Sequence, residues 1–211
     1  MRLAAVALVG LVLVAAGCGG GGDSSTTAGG CEDVDAPAPR EDGGRSAPNE
    51  ELDATKTWTL TVDTSCGTFV VTLDLGSAPN TAASLVPLAR SGYFDDTLFQ
   101  RIVPGFVIQG GDPTGSGTGG PGYSTVDTPP KNTTYTKGVV AMAKTGNEPA
   151  GTAGSQFFVV TGANANLPPD YAAVGKVTSG QDVVDRIGKL GDSSEQPTTT
   201  VEIQSFTVRS S

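Results

Sequence analysis

Residues 99–112 constrain the fold of this chain more than any other stretch. Arg101, Phe106 and Gln109 stand here in short strand-like runs beside a glycine-rich loop. A second block, residues 154–160, repeats the theme with one glutamine and two phenylalanines. Together the two blocks predict an apolar pocket that carries one fixed cation and two amide side chains.

The residues near this pocket exclude several kinds of chemistry. The chain contains no histidine, which excludes Ser-His-Asp and Cys-His hydrolases. Asp95 and Asp96 are adjacent, and neighbouring residues of a strand point to opposite faces, so they do not form an acid-base pair. Asp112 precedes Pro113 and is typical of a turn. We therefore expect a reaction in which no bond to the substrate is made or broken.

The sequence predicts neither a metal nor a cofactor. Residues 115–120 satisfy the G-x-G-x-x-G pattern of dinucleotide sites, but Pro121 and Gly122 follow where a helix should begin. Three cysteines without a histidine are too few for a closed zinc site. No basic patch indicates nucleic acid, and no long exposed apolar run demands a partner, so we expect a monomer.

The first 17 residues are typical of a secretory signal. Arg2 precedes an apolar run over residues 3–14, which is too short for a comfortable membrane span, and small residues follow. Residues 14–18 resemble a bacterial lipobox, in which Cys18 would be lipidated and become the new N-terminus. Ala15 stands where such boxes prefer a branched residue, so ordinary signal-peptidase cleavage stays an alternative. We expect a protein that is lipid-anchored outside the cytoplasm, or else secreted.

Residues 18–53 are predicted to form a lipidated N-terminus and a disordered acidic tether, followed by a folded domain over residues 54–211. The segment from 19 to 53 carries nine acidic and two basic residues and little apolar mass. If Cys18 is lipidated, Cys31 and Cys66 remain, and an oxidising compartment favours a disulfide between them. Two free thiols are the alternative.

Period-two alternation predicts many short strands in the domain. Residues 58–63 and 68–74 form a predicted hairpin, and a helix begins near Pro79 and reaches residues 91–92, with Pro87 expected to kink it. A second helix is predicted over residues 181–190. Further strands are predicted at residues 98–102, 106–109, 138–143, 156–160, 173–177 and 201–208. Many strands with few helices favour a closed antiparallel barrel.

These motifs resemble the signature of the cyclophilins, the peptidyl-prolyl cis-trans isomerases, over about residues 56–208. The resemblance implies a closed eight-stranded antiparallel β-barrel capped by two α-helices, and proline-containing polypeptides as substrates. It implies catalytic roles for Arg101, Phe106 and Gln109. It also implies substrate-binding roles for Val107, Gly117, Ala143, Lys144, Thr145, Gln156, Phe158, Leu167 and Tyr171. Phe157, by contrast, is expected in the core.

Some positions depart from the best-known pattern of that family. Val107 replaces a methionine, Lys144 an asparagine, Asn166 a tryptophan and Tyr171 a histidine. Lys144 and Asn166 keep an alternative open, in which the chain is a prolyl-peptide binding module or chaperone with little catalysis.

Overall fold

The computed structural model describes residues 29–211. The predicted signal peptide, the predicted lipidation site Cys18 and the first part of the predicted tether lie outside the described residues. Within residues 29–211 the chain forms eleven strands and two helices. The strands are β1 (Trp58–Thr64), β2 (Gly67–Leu73), β3 (Thr97–Leu98), β4 (Arg101–Val103), β5 (Val107–Gly110), β6 (Thr125–Val126), β7 (Val139–Met142), β8 (Thr152–Ala153), β9 (Phe157–Val160), β10 (Ala173–Ser179) and β11 (Glu202–Ser210). The helices are α1 (Pro79–Arg90) and α2 (Gln181–Ile187).

Nine of these strands form one curled antiparallel sheet in the order β3-β11-β1-β2-β10-β7-β9-β5-β4, and β6 pairs with β8. The predicted mainly-β fold is confirmed, but the expected closed eight-stranded barrel is not, because β3 and β4 are the two edge strands of the sheet and do not pair with each other. The predicted strand over residues 98–102 divides at Phe99 and Gln100. The part before the division pairs with β11, the part after it pairs with β5, and only an isolated bridge joins Leu98 to Asp112.

The two faces of the sheet bury different clusters. Strand alternation sends Ile102, Ile108 and Phe157 into the main core, as expected for Phe157. The intervening positions Val107 and Phe158 belong to a second, smaller cluster on the opposite face. A one-residue difference in position therefore separates residues of the core from residues that face outward.

Both helices form where the sequence predicts them. Pro79 occupies the first turn of α1, and the N-terminus is capped from outside the helix by the Asp127 carboxylate, 2.7 Å from the Thr81 amide nitrogen. The helix continues past the exposed Pro87 to Arg90. α2 ends at Ile187, three residues earlier than predicted. No helix in the described part of the chain is long and apolar enough to cross a membrane.

Residues 33–53 form no helix or strand, yet they lie against the domain instead of extending away from it. The structure contains the predicted Cys31–Cys66 disulfide. Arg40 donates side-chain hydrogen bonds to the carbonyl oxygens of Gly92 and Tyr93. Backbone hydrogen bonds join residues 40–45 to residues 113–121. Polar contacts and a covalent bond therefore join the described part of the predicted tether to the domain.

Candidate active site

The outward face of the sheet carries a cavity of about 330 Å³. Strands β4, β5 and β9 and the connections after β7 and β9 form its walls. All of its lining residues were predicted from the sequence as catalytic or substrate-binding. They are Arg101, Phe106, Val107, Gln109, Ala143, Lys144, Phe158, Leu167 and Tyr171.

Strand register brings these side chains together. Arg101 lies directly opposite Gln109 in the β4–β5 pair, and Gln109 lies opposite Phe158 in the β5–β9 pair. Residues that are directly opposite in an antiparallel pair project from the same face. The arginine, the glutamine and the aromatic ring therefore line one row across three strands.

The apolar side of the cavity rests on a buried tyrosine that sequence reasoning missed. The rings of Phe158 and Tyr171 meet edge to face with centroids 5.5 Å apart, and Tyr135 contacts both rings. The Tyr135 hydroxyl donates to the Tyr171 carbonyl oxygen at 2.7 Å and accepts from the Tyr171 amide nitrogen at 3.0 Å. Burial raises the pKa of the Tyr135 hydroxyl above its ordinary value, although the hydrogen bond donated by the Tyr171 backbone nitrogen acts in the opposite direction. Tyr135 thus fixes the backbone of one cavity wall.

A chain of hydrogen bonds forms the polar edge. Arg101 Nε donates to Glu195 Oε2 at 2.7 Å, and Arg101 Nη1 donates to Gln109 Oε1 at 3.3 Å. Gln109 Nε2 donates to Gln156 Oε1 at 3.1 Å, and Gln156 Nε2 donates to the carbonyl oxygen of Gly119 at 3.0 Å. The guanidinium is therefore held from two sides.

Two members of this edge, Gln100 and Glu195, were not predicted. Gln100 Nε2 donates to Gln156 Oε1 at 3.0 Å. In an unbroken strand Gln100 would face away from Arg101, but the division between β3 and β4 brings both residues to the same edge. Glu195 lies in the connection between α2 and β11, where no sequence pattern points to it.

A second cavity of about 530 Å³ adjoins the first and shares Gln109, Ala143 and Lys144 with it. Three further predicted residues, Gly117, Thr145 and Gln156, line this second cavity. Lys144 Nζ donates to the carbonyl oxygens of Thr145 and Glu148 and lies 5.5 Å from the centre of the Tyr171 ring. Asp42, from the N-terminal segment, also lines the second cavity and was missed because the segment was expected to be disordered.

Asp112 organises the glycine-rich loop that lines the second cavity. Its carboxylate is buried and accepts hydrogen bonds from the backbone nitrogens of Thr114, Gly117 and Gly119. Just before it, Gly111 has a φ of +86°, and a Cβ there would lie 2.5 Å from the carbonyl oxygen of Ser155, so only glycine fits. Asp112 is the predicted turn residue, and it orders the whole loop.

Comparison with known proteins agrees with this geometry. Residues 59–208 match the family model described as cyclophilin-type peptidyl-prolyl cis-trans isomerase/CLD. The chain is 36% identical over 149 residues to peptidyl-prolyl cis-trans isomerase CYP18-2 of Arabidopsis thaliana, covering 68% of this chain and 89% of the plant protein. It is 37% identical over 171 residues to peptidyl-prolyl cis-trans isomerase A of Mycobacterium tuberculosis, covering 72% of this chain and 92% of the relative.

Solved structures of cyclophilin-type isomerases also match this chain. A crystal structure of a cyclophilin-type isomerase from Cryptosporidium parvum matches with a TM-score of 0.67 and 28% identity, covering 74% of this chain and 99% of that one. A second crystal structure of that protein, in the presence of the dipeptide Ala-Pro, matches with a TM-score of 0.66 and 29% identity, covering 72% and 99%. The chain therefore belongs to the cyclophilin family. It is a peptidyl-prolyl cis-trans isomerase, an enzyme whose substrates are proline-containing peptides.

Proposed function

We propose that this isomerase assists the folding of proteins outside the cytoplasm, that Arg101 makes its main catalytic contact, and that a lipid on Cys18 anchors it to a membrane. One observation carries the catalytic part of the proposal. The Arg101 guanidinium lies at the edge of a cavity that Phe106, Phe158 and Leu167 also line, and it is held there by Glu195 and Gln109.

The chemistry of the X-Pro bond explains why a fixed guanidinium is useful. Rotation breaks amide resonance and has a barrier of about 18–20 kcal/mol. In the twisted state the proline nitrogen regains its lone pair and becomes a hydrogen-bond acceptor. A donor aimed at that nitrogen stabilises the transition state and not the planar ground state, which is the condition for catalysis.

The surroundings of Arg101 fit this role. Within the described residues its hydrogen bonds occupy Nε and Nη1, which leaves Nη2 for a substrate. Phe106, Phe158 and Leu167 offer an apolar surface to a proline ring. Exclusion of water by such a ring strengthens a charge-assisted hydrogen bond, and no covalent intermediate is required.

The test is prolyl cis-trans exchange in a short X-Pro peptide, measured by NMR exchange spectroscopy with Arg101→Ala and Arg101→Lys variants. Loss of one transition-state donor is expected to lower kcat about 10²- to 10³-fold in Arg101→Ala. Lysine keeps the charge but not the planar fork, so an intermediate rate is expected. Arg209→Ala, which removes an exposed arginine from β11, is the matched control and should retain full activity.

Turnover by Arg101→Ala within twofold of the unmodified protein would refute the proposed role of Arg101. Tight peptide binding with negligible acceleration by the unmodified protein would instead favour the prolyl-peptide binding module.

Two features support the proposed location. The signal-like residues 1–17 lead directly to Cys18. The Cys31–Cys66 disulfide suits an oxidising compartment, since thiols in the cytoplasm are kept reduced.

Mass spectrometry of the protein purified from its producing cells is expected to find a processed N-terminus with a lipid on Cys18, and Cys18→Ala should release the protein from the membrane. An unmodified Cys18, or cleavage at another bond, would refute the anchor and leave secretion.

A further inference from the structure

Glu195 contacts the guanidinium of Arg101 although 94 positions separate the two residues in the chain. Its Oε2 atom accepts the Nε hydrogen bond at 2.7 Å. Because Nε lies where the side chain joins the guanidinium group, this bond restricts rotation about the last carbon–nitrogen bonds. The opposite edge of the group stays directed toward Gln109 and the cavity.

The backbone of Glu195 is tied to the strand that carries Arg101. The amide nitrogen of Ile102 donates to the carbonyl oxygen of Glu195 at 3.1 Å. The Asp192 carboxylate holds the same turn by accepting from the backbone nitrogens of Ser194 and Gln196 at 2.7 Å and 2.9 Å. The carboxylate of Glu195 is therefore presented by a short, well-bonded turn and not by a free loop.

Glu195 also has a backbone conformation that glutamate rarely adopts. Its φ is +65°, in the left-handed region that favours glycine. Such strain is often found at functional sites, where the surrounding structure holds it. Fold stability gives little reason for a glutamate here, because the ion pair is 34% exposed on the arginine side chain and 49% exposed on the glutamate.

We propose that Glu195 is a positioning residue, which holds the Arg101 guanidinium in the orientation that meets the twisted X-Pro bond. This inference rests on the proposed role of Arg101. An arginine side chain has many rotamers, and fixing it before the substrate arrives removes an entropy cost from the catalytic step. Glu195 itself need not touch the substrate.

The experiment compares Glu195→Gly, Glu195→Gln and Arg101→Ala in the full-length protein, with kcat and peptide Kd measured separately by NMR exchange. Glu195→Gly removes the carboxylate and relieves the backbone strain. It should therefore lower kcat about tenfold, equivalent to about 1.4 kcal/mol, while Kd stays unchanged and Tm does not fall. Glu195→Gln keeps an acceptor oxygen for Nε and should restore most of the rate.

The chain offers a matched control in Asp96→Gly. Asp96 is likewise exposed and acidic with a positive φ of 54°. Within residues 29–211 the side-chain hydrogen bonds and the ion pair of Arg101 go to Glu195 and Gln109 and not to Asp96. This variant loses one negative charge and one strained backbone position, as Glu195→Gly does, and should keep full activity. A loss of similar size in Asp96→Gly would overturn the proposal. The lower rate would then come from the loss of a negative charge or of backbone strain, and not from the contact with Arg101.

A double variant separates this inference from the role of Arg101 itself. In the Arg101→Ala background, Glu195→Gly should change the residual rate by less than about twofold, since there is no guanidinium left to orient. An equal tenfold loss in both backgrounds would overturn the positioning role. So would an inactive Arg101→Ala beside a fully active Glu195→Gly, or a Glu195→Gln variant as slow as Glu195→Gly. If Arg101→Ala itself keeps full activity, the proposed function fails first and this inference fails with it.

Discussion

Asp112→Asn tests how the loop that lines the second cavity is held. The two carboxylate oxygens of Asp112 divide the bonds between them. Oδ1 accepts from the backbone nitrogen and the hydroxyl of Thr114, whereas Oδ2 accepts from the backbone nitrogens of Gly117 and Gly119. Asparagine replaces one of these acceptors by a donor, so one pair of bonds is lost in either orientation of the amide.

The structure sets the size of the effect. A buried donor left without a partner costs about 1–3 kcal/mol. Asp112 is 1% exposed and Gly119 is buried, but Gly117 is exposed and can bond to water instead. We therefore expect the free energy of unfolding to fall by about 3 kcal/mol, or Tm by about 6–12 °C in a protein of this size. Because Gly119 accepts from Gln156, a loosened loop should also lower kcat/KM, by less than about tenfold.

Urea and thermal unfolding of Asp112→Asn, beside Asp74→Asn, is the assay. Asp74 caps a similar turn, in which Oδ1 accepts from the backbone nitrogens of Gly76 and Ser77, but it is exposed to solvent. Water can replace those bonds, so the control should lose less than about 1 kcal/mol. Equal losses in the two variants would refute the reasoning that burial makes the Asp112 bonds strong.

Three further predictions concern stability, each measured by unfolding. Asp127→Ala removes the external cap of α1 and should cost about 1–3 kcal/mol; an unchanged Tm would contradict this capping role. Replacing Cys31 and Cys66 by serine opens a link across 35 positions and should cost up to about 4 kcal/mol, whereas an unchanged urea midpoint would show that the link is dispensable. Tyr135→Phe leaves both backbone groups of Tyr171 unpaired and should cost about 2 kcal/mol. The pKa of Tyr135 is raised in the folded state above the ordinary value of 10.0. The protonated hydroxyl therefore contributes stability that is fully present below pH 10.0, and this stability is lost as the pH rises through the folded pKa. The Phe variant should therefore lose stability less steeply above that pH, and an equal slope would contradict the pKa direction.

Two sequence blocks predicted an apolar pocket, and the resemblance to the cyclophilins supplied the residues that line it. Arg101, Gln109 and Phe158 lie on strands with clear alternation, and a residue's parity along a strand decides whether it faces the core or the outside. The resemblance to the cyclophilins predicted the core for Phe157, which is in the main core, and the binding surface for Phe158, which is in the outward cluster. Catalytic and binding roles for these residues remain predictions until the variants are measured.

Pairing between distant segments was not predictable in the same way. Alternation over residues 98–102 indicates a strand but not a change of partner, and that change leaves the sheet open and turns Gln100 toward Gln156. Composition predicts a disordered tether over residues 18–53 because that segment has little apolar mass, and this stays a prediction. Composition cannot predict that Arg40 donates to a backbone carbonyl oxygen, or that Asp42 accepts a hydrogen bond from the Gly120 amide nitrogen. Polar contacts of this kind depend on where the domain presents a partner.

Glu195 shows most clearly which part of the candidate site the sequence does not predict. A motif can identify Arg101, because a charged side chain among apolar residues indicates a functional role and those apolar residues are close to it in the sequence. The group that orients Arg101 comes from a turn whose position follows from the path of α2 and β11, and nothing in residues 191–197 resembles a catalytic motif. Two chains with the same arginine motif can therefore differ in rate if their turns differ. Measuring Arg101→Ala and Glu195→Gly side by side would separate what the motif contributes from what the fold adds to it.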